Sequence, residues 1–346
     1  MQPIGVVVIG RNEGNRLHQC LLSVISQDVI VVYVDSGSSD GSVALANQLN
    51  VHVIELDLAI PFTAARARNA GFEYLVKLVP NLEYVQFVDG DCQIVKGWLD
   101  AVNILIVHPD VAVVCGRRRE QFLANSIYNR LCDMEWNTPV GETLACGGDA
   151  LMRVSAIKAV GGFSEMLIAG EEPELCLRLR QAGHRILRID SEMTRHDAQI
   201  VNFGQWWKRS LRAGYAYAQG SWLHGNTLER YWVKDSRSIW FWGLGLPIIA
   251  VATFWLTSGL SILLLLVAYI WLGFKVYKYC LGQGRTSEDA ALYSLYCVLS
   301  KFPQVQGQIQ FHLLRLLKRQ SSLVEYKIRG VGAGFPRPLL SGKSRS

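Results

Sequence analysis

Two carboxylates one residue apart, Asp89 and Asp91, follow an apolar run in the segment LEYVQFVDGDC. The apolar residues are typical of a buried strand, and Gly90 lets the backbone turn where that strand leaves the core. Hard cations such as Mg²⁺ and Mn²⁺ bind carboxylate oxygens and complete their coordination shell with substrate phosphates and water. The pair therefore predicts a divalent cation shared with a phosphorylated ligand, although Asp and Gly are also ordinary turn residues after a strand.

A second acidic pair, Glu171 and Glu172, stands at the predicted start of a helix. Pro173 suits the first helical position, and Gly183 suits the position just past the last. The helix dipole favours an ionised carboxylate at such a start by about 0.3 to 1 kcal/mol. A carboxylate held there can accept a proton from an attacking hydroxyl. The alternative is an acidic helix start with no chemical role.

Two later motifs add candidates to these carboxylates. His196, beside Asp197, follows the predicted strand HRILRI, and a histidine can join two aspartates around a Mn²⁺-like ion. The segment Gly147-Gly148-Asp149 allows the backbone to approach a ligand closely. A structural histidine and a tight turn are the alternatives.

Apolar strands alternate with helical patterns between residues 4 and 89. The predicted strands are 4–9, 29–35, 51–56 and the strand ending at Asp89, and the predicted helices are 15–27, 42–49 and 64–79. This alternation predicts an α/β domain with a mostly parallel sheet covered on both faces. Ligands of such sheets bind beyond the carboxyl ends of the strands.

Polar residues follow the first two strands at that same predicted edge. Arg11, Asn12 and Glu13 come after the first strand, and Asp35 begins the segment DSGSSDGS after the second. Because the D-x-D pair also ends a strand, we expect all of these groups to surround one nucleotide pocket. The alternative for DSGSSDGS is a polar turn in which Asp40 caps the next helix.

Half of the residues are hydrophobic, and the excess over a typical soluble enzyme is concentrated between residues 239 and 281. An apolar run from Ile239 to Leu256 breaks at Thr257-Ser258-Gly259 and continues from Leu260 to Leu272, with no charge before Lys275. About 20 apolar residues span a bilayer as a helix, so the pattern predicts a membrane hairpin. One tilted span, a re-entrant loop and a buried soluble hairpin are the alternatives.

The net charge of +6 is placed around this apolar segment. Basic residues on both flanks indicate a hairpin that enters and leaves on the cytoplasmic side. Basic and aromatic residues do not form the exposed stripe of a nucleic-acid-binding surface, so we expect no nucleic-acid partner. The eight cysteines lack C-x-x-C spacing, and the chain does not open on a secretory signal. Reduced thiols and a catalytic domain facing the cytoplasm, at the inner membrane, are therefore predicted.

The regions flanking the apolar segment also have membrane character. Aromatic residues mix with cations in FGQWWKRSLRAGYAYAQGSW, a composition that favours a membrane interface. Residues 290–318 read as an amphipathic helix interrupted at Pro303, and the last residues read as a basic tail.

Taken in order, VVVIGRNE, VDSGSSDGS, ARARNAG, VQFVDGDC, the GGF turn and GEEPELCLRLRQAG resemble the family 2 glycosyltransferases, which have the GT-A fold. The likeness covers about residues 4 to 215. It implies an inverting, metal-dependent transfer of a sugar from a nucleotide diphosphate sugar. The expected organisation is a GT-A domain at 1–235, a membrane-associated helical hairpin at 236–281, an amphipathic helical segment at 282–330 and a flexible basic tail at 331–346.

The resemblance also implies roles for individual residues. Glu172 would be the catalytic base, and Asp91 and His196 would hold the metal, Mn²⁺ or Mg²⁺. Nucleotide contacts would come from Arg11, Glu13, Asp35, Arg68 and Asp89. Acceptor or phosphate contacts would come from Glu171, Gly148, Asp149, Trp207 and Arg209. For Arg68 and its neighbour Arg66, exposed cations on a helix surface are the alternative.

One departure from the family concerns processivity. Processive members carry a Q-x-x-R-W motif on an interfacial helix, whereas QWWKR at 205–209 has the components in another arrangement. A single short hairpin is also too little to form a polymer channel. We therefore expect addition of single sugars to a lipid-linked or saccharide acceptor near the membrane, in polysaccharide or glycolipid assembly.

Two other functions compete with this reading. A nucleotidyltransferase would also need paired aspartates, but it would carry a glycine-rich, basic phosphate loop after the first strand, which GRNEGNR resembles only faintly. A non-catalytic membrane scaffold would have kept the fold without needing Asp89, Asp91 and Glu172. Transport is disfavoured, because the apolar span contains no charged group.

Overall fold

A computed structural model describes residues 4–317, and a mixed sheet forms the centre of that part of the chain. The strands are β1 Ile4–Gly10, β2 Ile30–Asp35, β3 His52–Glu55, β4 Tyr84–Asp89, β5 Cys92–Ile94, β6 Val111–Glu120, β7 Gly141–Glu142, β8 Ala150–Arg153 and β9 Arg185–His196. Their order in the sheet is β3-β2-β1-β4-β8-β6-β9-β5, and β7 pairs with β9.

The sheet is mostly parallel, as the alternation of strands and helices predicts. Strands β1 to β4 pair in parallel, β8 runs antiparallel between β4 and β6, and β9 is parallel to β6. Only β5, β7 and β8 among the described strands run against the others. The central residues of β1 and β4 are fully buried, which suits strands covered on both faces.

Helices cover this sheet and then extend beyond it. Those within the sheet domain are α1 Asn15–Ile25, α2 Ser42–Gln48, α3 Ala64–Leu78, α4 Val102–Val107, α5 Ile127–Trp136, α6 Val154–Ala159 and α7 Glu171–Gln181. Those that follow it are α8 Phe203–His224, α9 Val233–Trp240, α10 Leu246–Ala252, α11 Leu260–Gly282, α12 Ser287–Leu299 and α13 Lys301–Leu316. Short 3₁₀ helices occupy Trp98–Ala101 and Leu123–Asn125, and a π-helical turn, Phe241–Gly245, joins α9 to α10.

Two prolines lie elsewhere in their helices than the sequence predicts. Pro173 is the third residue of α7 rather than the first, because α7 begins at Glu171. Pro303 does not interrupt a helix, since the break falls at Ser300 and Pro303 is the third residue of α13. The first turn of a helix has no internal partners for its N–H groups, so proline is tolerated throughout that turn.

The strand predicted at HRILRI is also longer than expected. It continues as β9 to His196, because β5 pairs with its far end and places Cys92 opposite His196. His196 is therefore held in a strand beside the D-x-D segment instead of in a loop after the strand.

The apolar segment forms two helices joined by a turn. Ser258 and Gly259 have positive φ angles at the end of this turn, and the Ser261 hydroxyl donates to the Ala250 carbonyl at 2.7 Å. Among the described helices, only α11 is long and apolar enough to cross a membrane, and 6% of its most apolar window is buried. The membrane role of the segment stays a prediction. The predicted basic tail at 331–346 and the end of the amphipathic segment lie outside the described residues.

Helices α8 and α13, which both follow the sheet domain, are in close contact. A Cβ atom at Gly214 of α8 would overlap the backbone of Gln304, and one at Gly307 of α13 would overlap the carbonyl of Leu211. The two glycines thus allow the helix backbones to touch.

We expect Gly214→Val to force α8 and α13 apart and to lower stability by about 3 kcal/mol, the upper end of the usual cost of overpacking. Thermal unfolding in detergent, followed by limited proteolysis between residues 225 and 317, measures this loss. The control is Gly282→Val, because a Cβ there meets no atom within 4 Å. Equal stability of the two variants would show that the crossing does not hold the helices in place.

Candidate active site

A cavity of about 340 Å³ opens at the carboxyl ends of β1 and β4. The predicted site residues on its wall are Arg11, Glu13, Arg68, Asp89, Asp91, Glu171, His196 and Arg209. Side chains from two strands, three helices and the loops after β1 and β4 therefore meet at the edge of the sheet where the sequence places a nucleotide pocket. We call this space the donor cavity.

Two arginines, the buried Arg68 and the largely buried Arg118, hold Asp89 at the wall of the donor cavity. Arg68 Nη2 lies 2.7 Å from Asp89 Oδ1, and Arg118 Nη2 lies 3.3 Å from Asp89 Oδ2. Arg68 also contacts Glu171 Oε1 at 2.6 Å. Burial opposes the charge of Arg68, but Asp89 and Glu171 outweigh burial and raise its pKa above the ordinary value. Arg68 is thus a buried ion-pair residue rather than an exposed helix cation.

Asp149 contacts both the backbone of Asp89 and the side chain of Arg118. Its Oδ1 accepts the Asp89 N–H at 2.9 Å, and its Oδ2 contacts the Thr194 hydroxyl at 2.7 Å and Arg118 Nη2 at 2.8 Å. Asp149 is fully buried and lies on neither cavity wall, so it positions Arg118 and the end of β4. A Cβ on Gly148 would lie 2.6 Å from Asp89 Oδ2, which explains a glycine at that position.

Asp91 and His196 form a second group on the same wall. Asp91 Oδ2 lies 3.3 Å from His196 Nε2, and Glu120 Oε2 lies 3.8 Å from His196 Nδ1. Trp136 packs edge-on against the imidazole at 4.6 Å between ring centres. His196 Nδ1 is buried without a hydrogen-bond partner in the described structure.

These residues fit a divalent cation. Asp91 faces Nε2 of His196 and Glu120 lies on its Nδ1 side, where a carboxylate commonly stands behind a metal-binding histidine. The ligand atoms of Asp91, Cys92 and His196 all lie within 4.8 Å of one another. Burial raises the pKa of the Cys92 thiol well above its usual value, so Asp91 and His196 are the suitable ligands for Mn²⁺ or Mg²⁺.

Asp35 is tied into the loop that follows β2. It accepts hydrogen bonds from the Tyr33 hydroxyl at 2.7 Å and from the backbone N–H groups of Gly37 and Ser38 at 2.9 and 2.7 Å. Burial, and then the nearby charge of Asp35, raise the pKa of Tyr33 above its ordinary value. Asp35 does not line the donor cavity. Its contact with a nucleotide base stays a prediction.

A larger cavity of about 660 Å³ lies between the sheet domain and the C-terminal helices. The predicted residues on its wall are Arg68, Asp89, Gly148, Glu171, Glu172 and Arg209. It shares Arg68, Asp89, Arg118, Glu171, Arg209 and Arg212 with the donor cavity. The two cavities therefore meet at one charged wall, and we call the larger one the acceptor cavity.

Glu172 has different partners from its neighbour Glu171. Its Oε1 accepts from the Cys146 N–H at 2.6 Å, the Cys146 thiol at 2.9 Å and the Cys176 thiol at 3.2 Å. All three donors are neutral, whereas Glu171 is paired with Arg68. Among the described residues, Glu172 thus has no arginine partner, and it lies in the first turn of α7, where the helix dipole favours the carboxylate.

Two further predicted residues lie on α8. Trp207 Nε1 donates to Gln306 Oε1 at 3.0 Å and lines neither cavity, so the side chain connects α8 to α13. Arg209 lines both cavities and contacts Glu135 at 2.6 Å.

Three further cations line the acceptor cavity and belong to no motif that predicts a site residue: Arg118, Arg212 and Lys301. Arg118 stands between two other arginines in β6, and alternation along the strand could have separated it from them. Arg117 and Arg119 pair with Asp190 and Asp133 instead. Arg212 and Lys301 lie on helices whose packing no local pattern reveals.

Sequence comparisons relate this chain to known glycosyltransferases. Residues 5–160 match the family model described as Glycosyl transferase family 2. The chain is 25% identical over 240 residues to glycosyltransferase AglE of Haloferax volcanii, an alignment that covers 66% of this chain and 77% of that protein. It is 30% identical over 172 residues to the succinoglycan biosynthesis protein ExoA of Rhizobium meliloti, covering 46% of this chain and 51% of that protein. The chain thus spans about half the length of the second relative.

A solved structure is similar over most of the described chain. This is a mannosyltransferase from Pyrobaculum calidifontis in complex with GDP-Man and Mn²⁺, with a TM-score of 0.57 and 15% identity over 89% of this chain and 86% of that one. At this identity the likeness shows the fold alone, and that fold is GT-A. Residues 5–160 therefore form a domain of glycosyltransferase family 2.

Proposed function

We propose that this family 2 glycosyltransferase is metal-dependent and inverting, and that it transfers one sugar at a time from a nucleotide diphosphate sugar to an acceptor at a membrane. The observation that carries the proposal is the wall shared by the two cavities. A cation-binding pair, Asp91 and His196, lies on the donor side, and Glu172 lies on the acceptor side. A sugar at the junction can be attacked from the side opposite its diphosphate.

On the donor side, negative charge grows on the diphosphate as its bond to the sugar breaks. Asp91 and His196 would hold a divalent cation, which would supply positive charge near the diphosphate. Arg68 and Arg118 line the same cavity and hold Asp89 in place. We assign nucleotide contacts to Arg11 and Glu13, which line the donor cavity after β1.

On the acceptor side, Glu172 removes the proton of the attacking hydroxyl. Its Oε1 is fixed by three neutral donors, and the carboxylate is almost fully buried, so its orientation is defined before the acceptor arrives. Attack from this side, opposite the leaving diphosphate, inverts the anomeric carbon. Glu171 acts through Arg68 rather than on the acceptor.

The acceptor cavity favours an anionic, lipid-linked acceptor. Arg209, Arg212 and Lys301 supply positive charge on its wall, while Tyr217 and Trp232 supply aromatic surface. Its walls include α12 and Trp232, the residue before α9, and α9 and α12 lie on either side of the apolar pair α10 and α11. A phosphate headgroup therefore fits the cations, and a lipid chain can follow the apolar helices into a membrane.

This placement suggests the setting of the reaction. We propose that α10 and α11 attach the enzyme to the inner membrane with the catalytic domain in the cytoplasm, where nucleotide sugars are made. The basic residues on both flanks of the apolar segment support that orientation. One relative is named for succinoglycan biosynthesis, which supports a role in polysaccharide or glycolipid assembly.

We expect Glu172→Gln to lower kcat by about 10²- to 10⁴-fold, the usual contribution of a general base. The amide keeps the shape and loses the proton acceptor, so the donor KM should change little. Turnover of a panel of UDP-, GDP- and dTDP-sugars with Mn²⁺ and membrane lipid acceptors measures this. The control is Glu73→Gln on the exposed face of α3. Full turnover in Glu172→Gln, or no turnover of any donor by the unaltered chain, would contradict the assignment.

We expect Lys301→Gln to raise the KM for a phosphate-bearing lipid acceptor by about 10- to 100-fold, the effect of losing one hydrogen bond to a charged group. Donor KM should stay constant, since Lys301 lines only the acceptor cavity. Initial rates with lipid-phosphate acceptors and with the same saccharides lacking phosphate measure the difference. Lys158→Gln, an exposed lysine on α6, is the control. An equal KM change for neutral acceptors would contradict a phosphate contact.

A further inference from the structure

Two cysteines flank the proposed base and face the same carboxylate oxygen. Cys146 precedes β8, and Cys176 lies one helical turn after Glu172 on α7. The two sulfurs are 3.6 Å apart, and they lie 2.9 and 3.2 Å from Glu172 Oε1. All three side chains are buried. These three potential ligands lie together within 4.8 Å, apart from the Asp91 and His196 pair.

The spacing matches a tetrahedral thiolate site. Two sulfurs bound to one Zn²⁺ at about 2.3 Å lie about 3.8 Å apart, close to the 3.6 Å between Cys146 and Cys176. A carboxylate oxygen at about 2.0 Å from the same ion lies about 3.5 Å from each sulfur. The oxygen of Glu172 therefore needs to retreat by only a few tenths of an ångström, and Glu172 lines the acceptor cavity.

The ligand types select a different cation from the one proposed for the donor cavity. Thiolates bind Zn²⁺ and other thiophilic cations, whereas carboxylate and phosphate oxygens suit Mg²⁺ and Mn²⁺. We propose that Cys146, Cys176 and Glu172 form a site for a thiophilic divalent cation such as Zn²⁺, and that its binding suppresses sugar transfer by occupying Glu172. The metal site stands on geometry alone, while the suppression rests on the proposed role of Glu172.

Binding of a cation at this site displaces the protons of the two thiols. Each thiol donates its S–H to Glu172 Oε1, and one divalent cation replaces both protons, so binding releases two protons. Because binding releases protons, the affinity should rise with pH.

Other thiols provide the controls. Among the described cysteines, only Cys297 is partly exposed. It lines the acceptor cavity and could bind metal on its own. Cys92 lies beside Asp91 and His196 and could contribute to a second thiophilic site there. Variants at Cys297 and Asp91 therefore separate the proposed site from both.

The binding test is a Cd²⁺ titration of the full chain in detergent and a phosphine reductant, followed by ultraviolet thiolate-to-cadmium absorption. We expect one Cd²⁺ per chain with two thiolates, retained in Cys297→Ala and in Asp91→Ala. Cys146→Ser and Cys176→Ser should each weaken binding at least tenfold, and Glu172→Gln should weaken it less. An undiminished signal in Cys176→Ser, or its loss in Cys297→Ala, would overturn the site. Proton release measured on the unaltered chain gives a test that no variant's folding affects.

The activity test adds Zn²⁺ to the enzyme at saturating Mn²⁺ and donor. Turnover should fall at least tenfold in step with occupancy and return when a zinc chelator and fresh Mn²⁺ are supplied. Full turnover with the site filled would overturn the suppression while leaving the metal site intact. If the zinc-free chain turns over no donor at saturating Mn²⁺ although Cd²⁺ still binds, the proposed function fails and the metal site stands.

Discussion

The active site depends on two buried guanidinium groups placed among carboxylates. Arg68 joins Asp89 to Glu171, and Arg118 joins Asp89 to Asp149. Removing one partner from such a buried group leaves an uncompensated charge and usually costs about 3 to 5 kcal/mol. The end of β4, the start of α7 and the loop before β8 are therefore fixed relative to one another, and the two cavities meet where these elements meet.

This arrangement has a consequence for substrate binding. Each arginine neutralises carboxylates when the donor cavity holds no diphosphate, and each lies where a diphosphate would bring new negative charge. Asp89 forms ion pairs with both arginines. A cation that binds without a nucleotide would therefore be held mainly by Asp91 and His196. Diphosphate oxygens would complete the cation's coordination and also attract the arginines. Donor and metal should therefore bind together better than either binds alone.

Much of the framework could be predicted from local patterns. The alternation of strand and helix patterns predicts the mostly parallel sheet. The ends of the predicted strands place Arg11, Asp89 and Asp91 at one edge of it. The position of His196 needed the register between β5 and β9, which the sequence does not display. Because Asp149 follows two glycines, the sequence predicts that its side chain contacts a substrate. In the structure its oxygens instead contact Asp89, Arg118 and Thr194, which are distant in sequence. Arg212 and Lys301 reach the site only because α8 and α13 pack at two glycines.

The most direct measurement is Mn²⁺ affinity, determined by electron paramagnetic resonance of the free ion, with and without a nucleoside diphosphate. The account predicts that UDP or GDP, whichever base the site accepts, tightens Mn²⁺ binding at least tenfold, and that Mn²⁺ tightens nucleotide binding by the same factor. Asp91→Ala should abolish this coupling, while Asp190→Ala, at an exposed ion pair, should preserve it. Equal Mn²⁺ affinity with and without either nucleotide would contradict a shared cation at Asp91 and His196.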